Sequence, residues 1–539
     1  MSMNKLTFDE TLYLGFFILL SIAKGLGLYE GQKLFVLLVV PGLMCGGLKI
    51  LLSFYTKRQW AALSLLLVLT VLVYVRSLEL AVFFIMFTIL GMKNVSFQKV
   101  FRIGLWVWSV CAVVLCLISF PRLEHTVYRV SPKLGLGYIF RWSLGFTHPN
   151  ILHITYLTLC ALILYELADN FGLKHFVILM FGNILVFFYS ISYTGFAIVT
   201  VLLLGGMYVK IRPRFCLFEK ILANLVLPVI ILISFILPLM FWDARFAQSL
   251  GKLNEIVNTR IEVASSFLKP ECMSLFGVKT SYLEQTQYYL SIDSSYVWAF
   301  IHYGIVPFIL LMLAYLVLIA DCTRKQKTRE LVLIICFLIA GYTEPLLFNT
   351  SFKNITLVFL GELLFRQKAG EEEYCLLPGG RKKLEIFVQK IAEKVTSVSI
   401  FKWNLCPLLA GSRKFCRKQV LATAAVCMLI GIVFCAILYK EPSGYVVPRR
   451  CTDWRDESFV YLESADDPAY DGYRIMNYQD ARTPMQVLAG NAVKLETARY
   501  YVGSALIGGL LGAFAGISFC LFRKRGAWAV AEISGYDRE

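Results

Sequence analysis

YTKRQWAALSLLLVLTVLVYVRSLELAVFFIMFTILGMKNVSFQKVFR, residues 55–102, decides how the chain is read. It opens on Lys57 and Arg58, runs through an apolar block at 60–75, and closes on Lys93, Lys99 and Arg102. Between the basic clusters lies a second block, 80–92, which is short against the roughly 20 residues of a membrane-crossing helix. Lys and Arg accumulate in the cytoplasmic loops of membrane proteins. Both clusters fall on that side only if 80–92 crosses, so the short block counts as a span.

Working outward, apolar blocks at 11–28, 32–53, 60–75, 80–92, 101–120, 150–166, 175–189, 193–209, 221–241, 296–320, 331–346 and 354–366 make a core of twelve spans. A further pair, near 420–439 and 501–522, makes a hairpin. With the N-terminus inside, the other basic loops fall on the same side. Lys210, Arg212, Arg214 and Lys220 follow the eighth span, and Arg324, Lys325, Lys327 and Arg329 follow the tenth. The segment 366–418 is again basic, and Arg523, Lys524 and Arg525 close the last span. The expected fold is therefore all-α, a polytopic transmembrane helix bundle in the cytoplasmic membrane with both termini inside. Charged residues are 17% of the chain, against about 25% in a soluble domain. No small-residue cleavage site follows the first block, which reads as a retained helix. The net charge of +17 reads as positive-inside bias, not as a nucleic-acid surface. The fifteen Cys form no CxxC or Cys/His framework, and most lie in apolar stretches as small hydrophobes. Cys272 and Cys451 fall in expected external segments, where a disulfide stays open.

Three larger segments are expected to face outward: 121–149, 242–295 and 440–500. The first breaks the charge bias, with Arg122, Arg129, Lys133 and Arg141 against Glu124. The third carries ten Asp/Glu and eight Lys/Arg. The chain divides near 367 into a core, 1–366, a basic linker, 367–419, and the hairpin, 420–539, with its external domain. In the linker, 381–395 has Leu384, Phe387, Val388 and Ile391 at helical spacing. It either lies on the anionic inner leaflet or forms a solvated connector.

Polar residues of interest gather at the outer ends. RWSLGFTHPN, 141–150, offers Arg141, a planar cation suited to phosphate, His148, which exchanges protons near neutral pH, and Asn150 at a helix start. The same residues suit an interfacial anchor loop. SISYTG, 190–195, brings Ser190, Ser192, Tyr193 and Thr194 to the boundary, where helix capping is the commoner role. In 242–295, carrying Arg245, the stretch LNEIVNTRIEVASSFL reads as a surface helix holding Arg260 at headgroup depth. Asp293, Ser294, Ser295 and Tyr296 mark the next span's entry, with His302 about two turns inside. GYTEPLLFNTSFKN, 341–354, holds Glu344, Asn349, Lys353 and Asn354; an intramembrane carboxylate is costly unless paired or working, and Lys353 is a candidate ion-pair partner. His148 and His153 are poorly spaced for a metal, and no nucleotide-binding loop or DxD motif is present, so no metal and no cofactor is expected. Chemistry outside the cell without ATP needs a substrate already activated, such as a lipid-linked diphosphate sugar. Arg would neutralise the diphosphate, and His or a carboxylate would take the acceptor's proton.

In order and topology these residues resemble the O-antigen polymerase and O-antigen ligase superfamily, especially the repeat-unit polymerases of Gram-positive capsule and exopolysaccharide systems. The resemblance covers roughly 1–366. It rests on Gly145-Phe146-Thr147-His148-Pro149-Asn150, the late loop with Arg260, and Leu275-Phe276-Gly277. It continues through Asp293-Ser294-Ser295-Tyr296, Tyr303-Gly304-Ile305, Glu344 and Asn349. It implies a GT-C-like glycosyltransferase core performing inverting, metal-independent transfer of undecaprenyl-diphosphate-linked oligosaccharide. Arg141 and Arg260 would contact diphosphate, with Arg245, Asn150, Tyr193, Tyr296 and His302 as further substrate contacts. His148, Asp293 and Glu344 would carry the catalysis or shape the acceptor site. Members often show Ser-Arg where this chain has Tyr193-Thr194-Gly195, so Arg122, Arg129, Arg141 or Arg245 would have to substitute, or the diphosphate would be held differently. Implied partners are the glycolipid, membrane lipids, and the flippase and chain-length regulator of such a pathway. A ligase that moves the glycan to another acceptor, or a flippase of the same glycolipid, are the competing expectations.

Overall fold

The computed structural model describes residues 6–119, 128–132, 138–167, 170–257, 259–279, 292–366, 371–382, 384–386, 388, 414–439, 444–448, 460–461, 473–477 and 494–517. These residues are mostly helical. Nine helices come first: α1 (Phe8–Gly25), α2 (Lys33–Leu52), α3 (Lys57–Ser77), α4 (Ala81–Leu90), α5 (Phe97–Ser119), α6 (Pro149–Leu167), α7 (Leu173–Ser190), α8 (Tyr193–Ile211) and α9 (Leu217–Met240). Then come α10 (Ala244–Ile256), α11 (Arg260–Phe267), α12 (Ser295–Tyr303), α13 (Ile305–Arg324), α14 (Thr328–Thr343), α15 (Leu357–Leu364) and α16 (Lys414–Leu438), followed by α17 (Lys494–Ile517). Among the described residues ten helices are long and apolar enough to cross a membrane, and the chain is a multi-pass membrane protein. The other expected spans are α1, which carries Asp9, Glu10 and Lys24, and the shorter α4, α14 and α15.

The chain forms two compact units. The first comprises 1–114, 150–187 and 192–403; the second comprises 115–149, 188–191 and 404–539. The linker joins the first unit because its described part is bonded to the N-terminal helices. Phe54 and Tyr55 pair antiparallel with Cys375 and Tyr374, Arg381 reaches Asp9 at 3.1 Å, and Val388 packs with Phe8, Leu12 and Leu52. Phe387 and Ile391 of the expected linker helix lie outside the described residues.

One end of the first unit is an ionic layer. Lys49 Nζ donates to Asp9 Oδ1 at 2.7 Å and to the Lys93 carbonyl at 2.8 Å. Lys93 in turn meets Glu373 at 2.5 Å, and Lys99 meets Glu10 at 2.7 Å. The ten-residue α4 packs back along α3, with Met86 and Leu90 against Leu63 and Trp60 near this layer. Capping boxes start the helices here: Thr7 with Glu10 on α1, and Thr56 with Gln59 on α3.

The expected span 296–320 is broken. Gly304, at φ 85°, separates α12 from α13. Segment 274–278 crosses the break: Ile305 N donates to Ser274 O at 2.9 Å, Val306 N to Leu275 O at 3.2 Å, and Val278 N to Ile301 O at 3.1 Å. A Cβ on Gly304 would meet the backbone of Leu275–Gly277, and one on Gly277 would meet the His302 carbonyl. The two glycines therefore let two backbones touch and supply each other's hydrogen bonds. The expected surface helix across 253–268 is also two helices, α10 and α11. They are joined by a turn in which Thr259 N bonds Asn254 O at 2.7 Å and Asn254 meets Glu262 at 3.2 Å. Residues 344–356 turn back into the bundle. Phe352 lies among the rings of Phe16, Phe17 and Phe84, and buried Lys353 places Nζ 5.1 Å from the Trp108 ring.

In the second unit, Tyr128–Pro132 pairs with Tyr138–Trp142, and Gly444–Pro448 pairs with both Val460–Tyr461 and Tyr473–Asn477. Helices α16 and α17 pack through glycines. Gly508, Gly512 and Gly516 come against the backbone or side chains of Cys427, Thr423 and Val420, and Gly431 against Ser504. This four-residue spacing of small residues is the usual means of close helix approach in lipid.

Gly304→Ala is expected to lower the thermal midpoint in detergent, by a destabilisation of at least about 2 kcal/mol, from the disfavoured φ and the backbone clash. An unchanged midpoint would show that the crossing of 274–278 over the break is not needed for stability.

Candidate functional site

Four stretches of the first unit converge on Glu344, which terminates α14 and is 7% exposed. Its Oε1 accepts from Asn150 Nδ2 at 2.8 Å, Arg260 Nη2 at 3.0 Å and Thr194 Oγ1 at 3.2 Å. Arg260 Nε donates to Asp293 Oδ2 at 3.1 Å. The hydrogen bonds of Arg260 among the described residues are made by Nε and Nη2. Local chemistry explains each placement. Pro149 starts α6 without needing an N–H, which sets Asn150 in its first turn. Ser192 caps α8 by accepting from Gly195 N at 3.3 Å, the capping role expected, and this sets Thr194 at the mouth. The turn between α10 and α11 sets Arg260 at the start of α11. Ser295 holds Glu344 from behind, its Oγ donating to the Glu344 carbonyl at 2.6 Å and accepting from Leu347 N at 3.1 Å.

Among the described residues the cluster joins one guanidinium to two carboxylates. Such a site suits hydroxyl groups and proton transfer better than it suits a bare diphosphate, whose charge the carboxylates repel. Beside it runs an apolar cavity of about 250 Å³, bounded by Thr194, Ile198, Ile230, Ile233, Tyr342 and Thr343. Ile233 and the neighbouring Ile339 are more than a third exposed, so the groove opens sideways between the helices of the first unit.

Of the residues expected at a site, Glu344, Arg260, Asp293 and Asn150 come together, and the described contacts of the others are as follows. Tyr296 is fully buried and its hydroxyl donates to Leu338 O at 2.7 Å, tying α12 to α14. His302 stacks on Trp298 at 4.4 Å, with Nδ1 3.1 Å from Glu79. Arg245 is exposed and pairs locally with Asp243 at 3.1 Å. Tyr193 is exposed, its ring 5.5 Å from Phe187. Arg141 and His148 belong to the second unit. There Arg141 Nε donates to the Ser190 carbonyl at 3.0 Å, next to Trp142, whose indole bonds Glu496 at 2.8 Å. His148 is half-buried in the bend before α6. Arg122 and Cys451 lie outside the described residues, while Cys272 is buried in an apolar cluster with Phe267 and Ile301. Lys353 is not the partner of Glu344; Arg260 is. Asn349 and Asn354 bond neighbouring backbone at Ser351 and at Leu347 and Thr356. Thr194, whose hydroxyl the sequence left open as a sugar or phosphate ligand or a helix cap, joins the cluster, and Ser295, legible only as a polar residue at a span entry, supports it from behind.

Comparison with protein-family models, with curated proteins and with solved structures finds no match. The resemblance to the O-antigen polymerase and ligase superfamily rests on the sequence motifs alone.

Arg260→Ala and Glu344→Ala are expected to be non-additive. A double-mutant cycle on thermal stability should give a coupling of at least about 1 kcal/mol, because each single change leaves the other charge without its principal partner. Additive losses would mean that the pair does not hold the loop.

Proposed function

We propose that the chain is a membrane glycosyltransferase acting on lipid-linked, diphosphate-activated oligosaccharide, with Glu344, Arg260, Asp293, Asn150 and Thr194 as its reaction centre. The observation that carries the reading is the junction of this polar cluster with a laterally open apolar groove. An amphiphile with a sugar head and an isoprenoid tail needs both surfaces side by side.

The chemistry is a single displacement. An acceptor hydroxyl oxygen attacks the anomeric carbon of the donor sugar, the bond to the lipid diphosphate breaks, and the diphosphate leaves with the electron pair. The hydroxyl proton passes to a carboxylate, Glu344 being the one fixed by three donors. Arg260 holds Glu344 and Asp293 in register and turns its Nη1 edge toward the developing charge on the leaving group. Repeat-unit polymerisation is the form of this reaction that the resemblance favours. Ligase-type transfer to another acceptor uses the same groups.

Purified protein given undecaprenyl-diphosphate-linked oligosaccharide is expected to yield longer chains in detergent. Glu344→Gln and Arg260→Lys should each slow elongation by about 100-fold or more. Elongation that is undiminished in both variants would remove the cluster from the reaction.

Lys353 favours a second reading. An ionisable side chain inside a bundle marks a solute or proton path in many transporters, and here one sits against Trp108 amid apolar helices. If the chain instead moves the glycolipid across the bilayer, proteoliposomes should show translocation that Lys353→Met abolishes, with no change in glycan length.

A further inference from the structure

A second cavity, of about 450 Å³, lies in the first unit between the end of α8 and the start of α14. Both helices have their opposite ends at the Glu344 cluster, so this cavity opens at the other end of the bundle. That is the end the cation count assigns to the cytoplasm. Its volume is within the roughly 300–1,000 Å³ of small-molecule sites. The floor is apolar, formed by Leu164, Phe171, Val209 and Val332. The rim carries Lys210, Lys327 and Arg329 together with the carboxylate of Glu330, which accepts from the Tyr165 hydroxyl at 3.4 Å.

The rim is built rather than incidental. Gln326 clasps Phe215 twice, accepting from its N–H at 2.8 Å and donating to its carbonyl at 3.0 Å. Thr328 Oγ1 donates to the Pro213 carbonyl at 3.3 Å. These bonds fix the loop after α8 against the loop before α14. Residues 327–330, the start of α14, all line the cavity, and among the described residues no side chain caps that turn. Its leading N–H groups and the helix dipole favour an anion beside the three cations, which outnumber the first-turn carboxylate of Glu330. Lys327 is matched by Glu362 at 2.9 Å, and Lys210 and Arg329 have partners too. An incoming anion exchanges partners with them instead of meeting vacant charge.

We propose that this cavity is a binding site for a phosphate-bearing anion, held by Lys210, Arg329 and the first turn of α14. An anionic lipid headgroup and a free phosphate share this chemistry. The apolar floor beneath a basic rim at a helix-bundle boundary is the arrangement that suits a headgroup with its glycerol.

The test titrates the full-length protein in maltoside detergent with short-chain phosphatidylglycerol, short-chain phosphatidylcholine and inorganic phosphate, following the thermal midpoint. Phosphatidylglycerol is expected to raise the midpoint saturably and phosphatidylcholine not to. An equal response to inorganic phosphate identifies the free anion as the source, and a response to phosphatidylglycerol alone identifies the headgroup. Arg329→Gln and Lys210→Glu should each weaken apparent affinity about tenfold or more. Lys57→Glu, an exposed change of the same charge elsewhere at this end, should leave it unchanged. Lys210 is exposed, so its variant carries the test if Arg329→Gln does not fold. No saturable response to either anion, or equal weakening by Lys57→Glu, overturns the proposal. The readout is binding, so it stands or falls independently of any glycosyl transfer.

Discussion

In hydrocarbon there is no water to bond a stranded peptide group, and each one left unpaired costs several kcal/mol. The break at Gly304 is tolerable only because segment 274–278 arrives to accept from Ile305 and Val306 and to donate to Ile301. Much of the far end of the first unit depends on that exchange. It anchors the segment that follows α11, and hence Arg260, to α12 and α13, and α12 begins two residues after Asp293. The two motifs Leu275-Phe276-Gly277 and Tyr303-Gly304-Ile305, distant in sequence, are two halves of one backbone joint. Their glycines serve close approach and positive φ, and they touch no part of the Glu344 cluster's polar chemistry.

Charge is distributed unequally along the first unit. At the end bearing Asp9 and Lys49, buried ion pairs are many and nearly every member has a neighbour of opposite sign. Such pairs contribute modest net stability after desolvation, yet breaking one strands a charge. They register α1, α2, the turn after α4, and the linker against one another. At the Glu344 end, among the described residues, a single guanidinium answers two carboxylates. In the proposed reaction that imbalance leaves diphosphate recognition to Arg260 Nη1 and to cations outside the cluster.

The second unit is organised around aromatic and arginine contacts instead. Trp142 lies 5.5 Å from Tyr189 and 5.3 Å from Tyr500, and bonds Glu496. Arg499 donates to the Phe188 carbonyl at 2.9 Å, and Tyr189 donates to the Arg499 carbonyl. Arg141 and Trp142 are thereby bound up with the C-terminal hairpin. A cation that looks suited to phosphate in the sequence is, in this unit, a donor to a backbone carbonyl. The hairpin helices close on each other through the GGLLGAFAG stretch, 508–516, whose glycine spacing is legible once helix packing in lipid is considered.

The sequence by itself determined the membrane class and most helices, because apolar length and cation placement are local and additive along the chain. Residues 55–102 are the clearest case: the apolar blocks there form α3 and α4, and Lys93 after α4 lies in the ionic layer with Lys49. It also singled out Glu344, Arg260, Asp293 and Asn150, since polar groups at span ends are costly wherever they sit. What it could not decide was which of those groups meet. Helical spacing puts His302 about two turns beyond Asp293 but does not reveal that its ring turns to Trp298 and Glu79. A run of apolar residues through 296–320 conceals a break that only Gly277 and the 274–278 backbone make possible. Lys353 stands close to Glu344 in sequence, yet it turns into the bundle against Trp108, while Arg260, 84 positions away, takes the carboxylate. Partner choice depends on through-space distance and on desolvation, and only the tertiary structure supplies both.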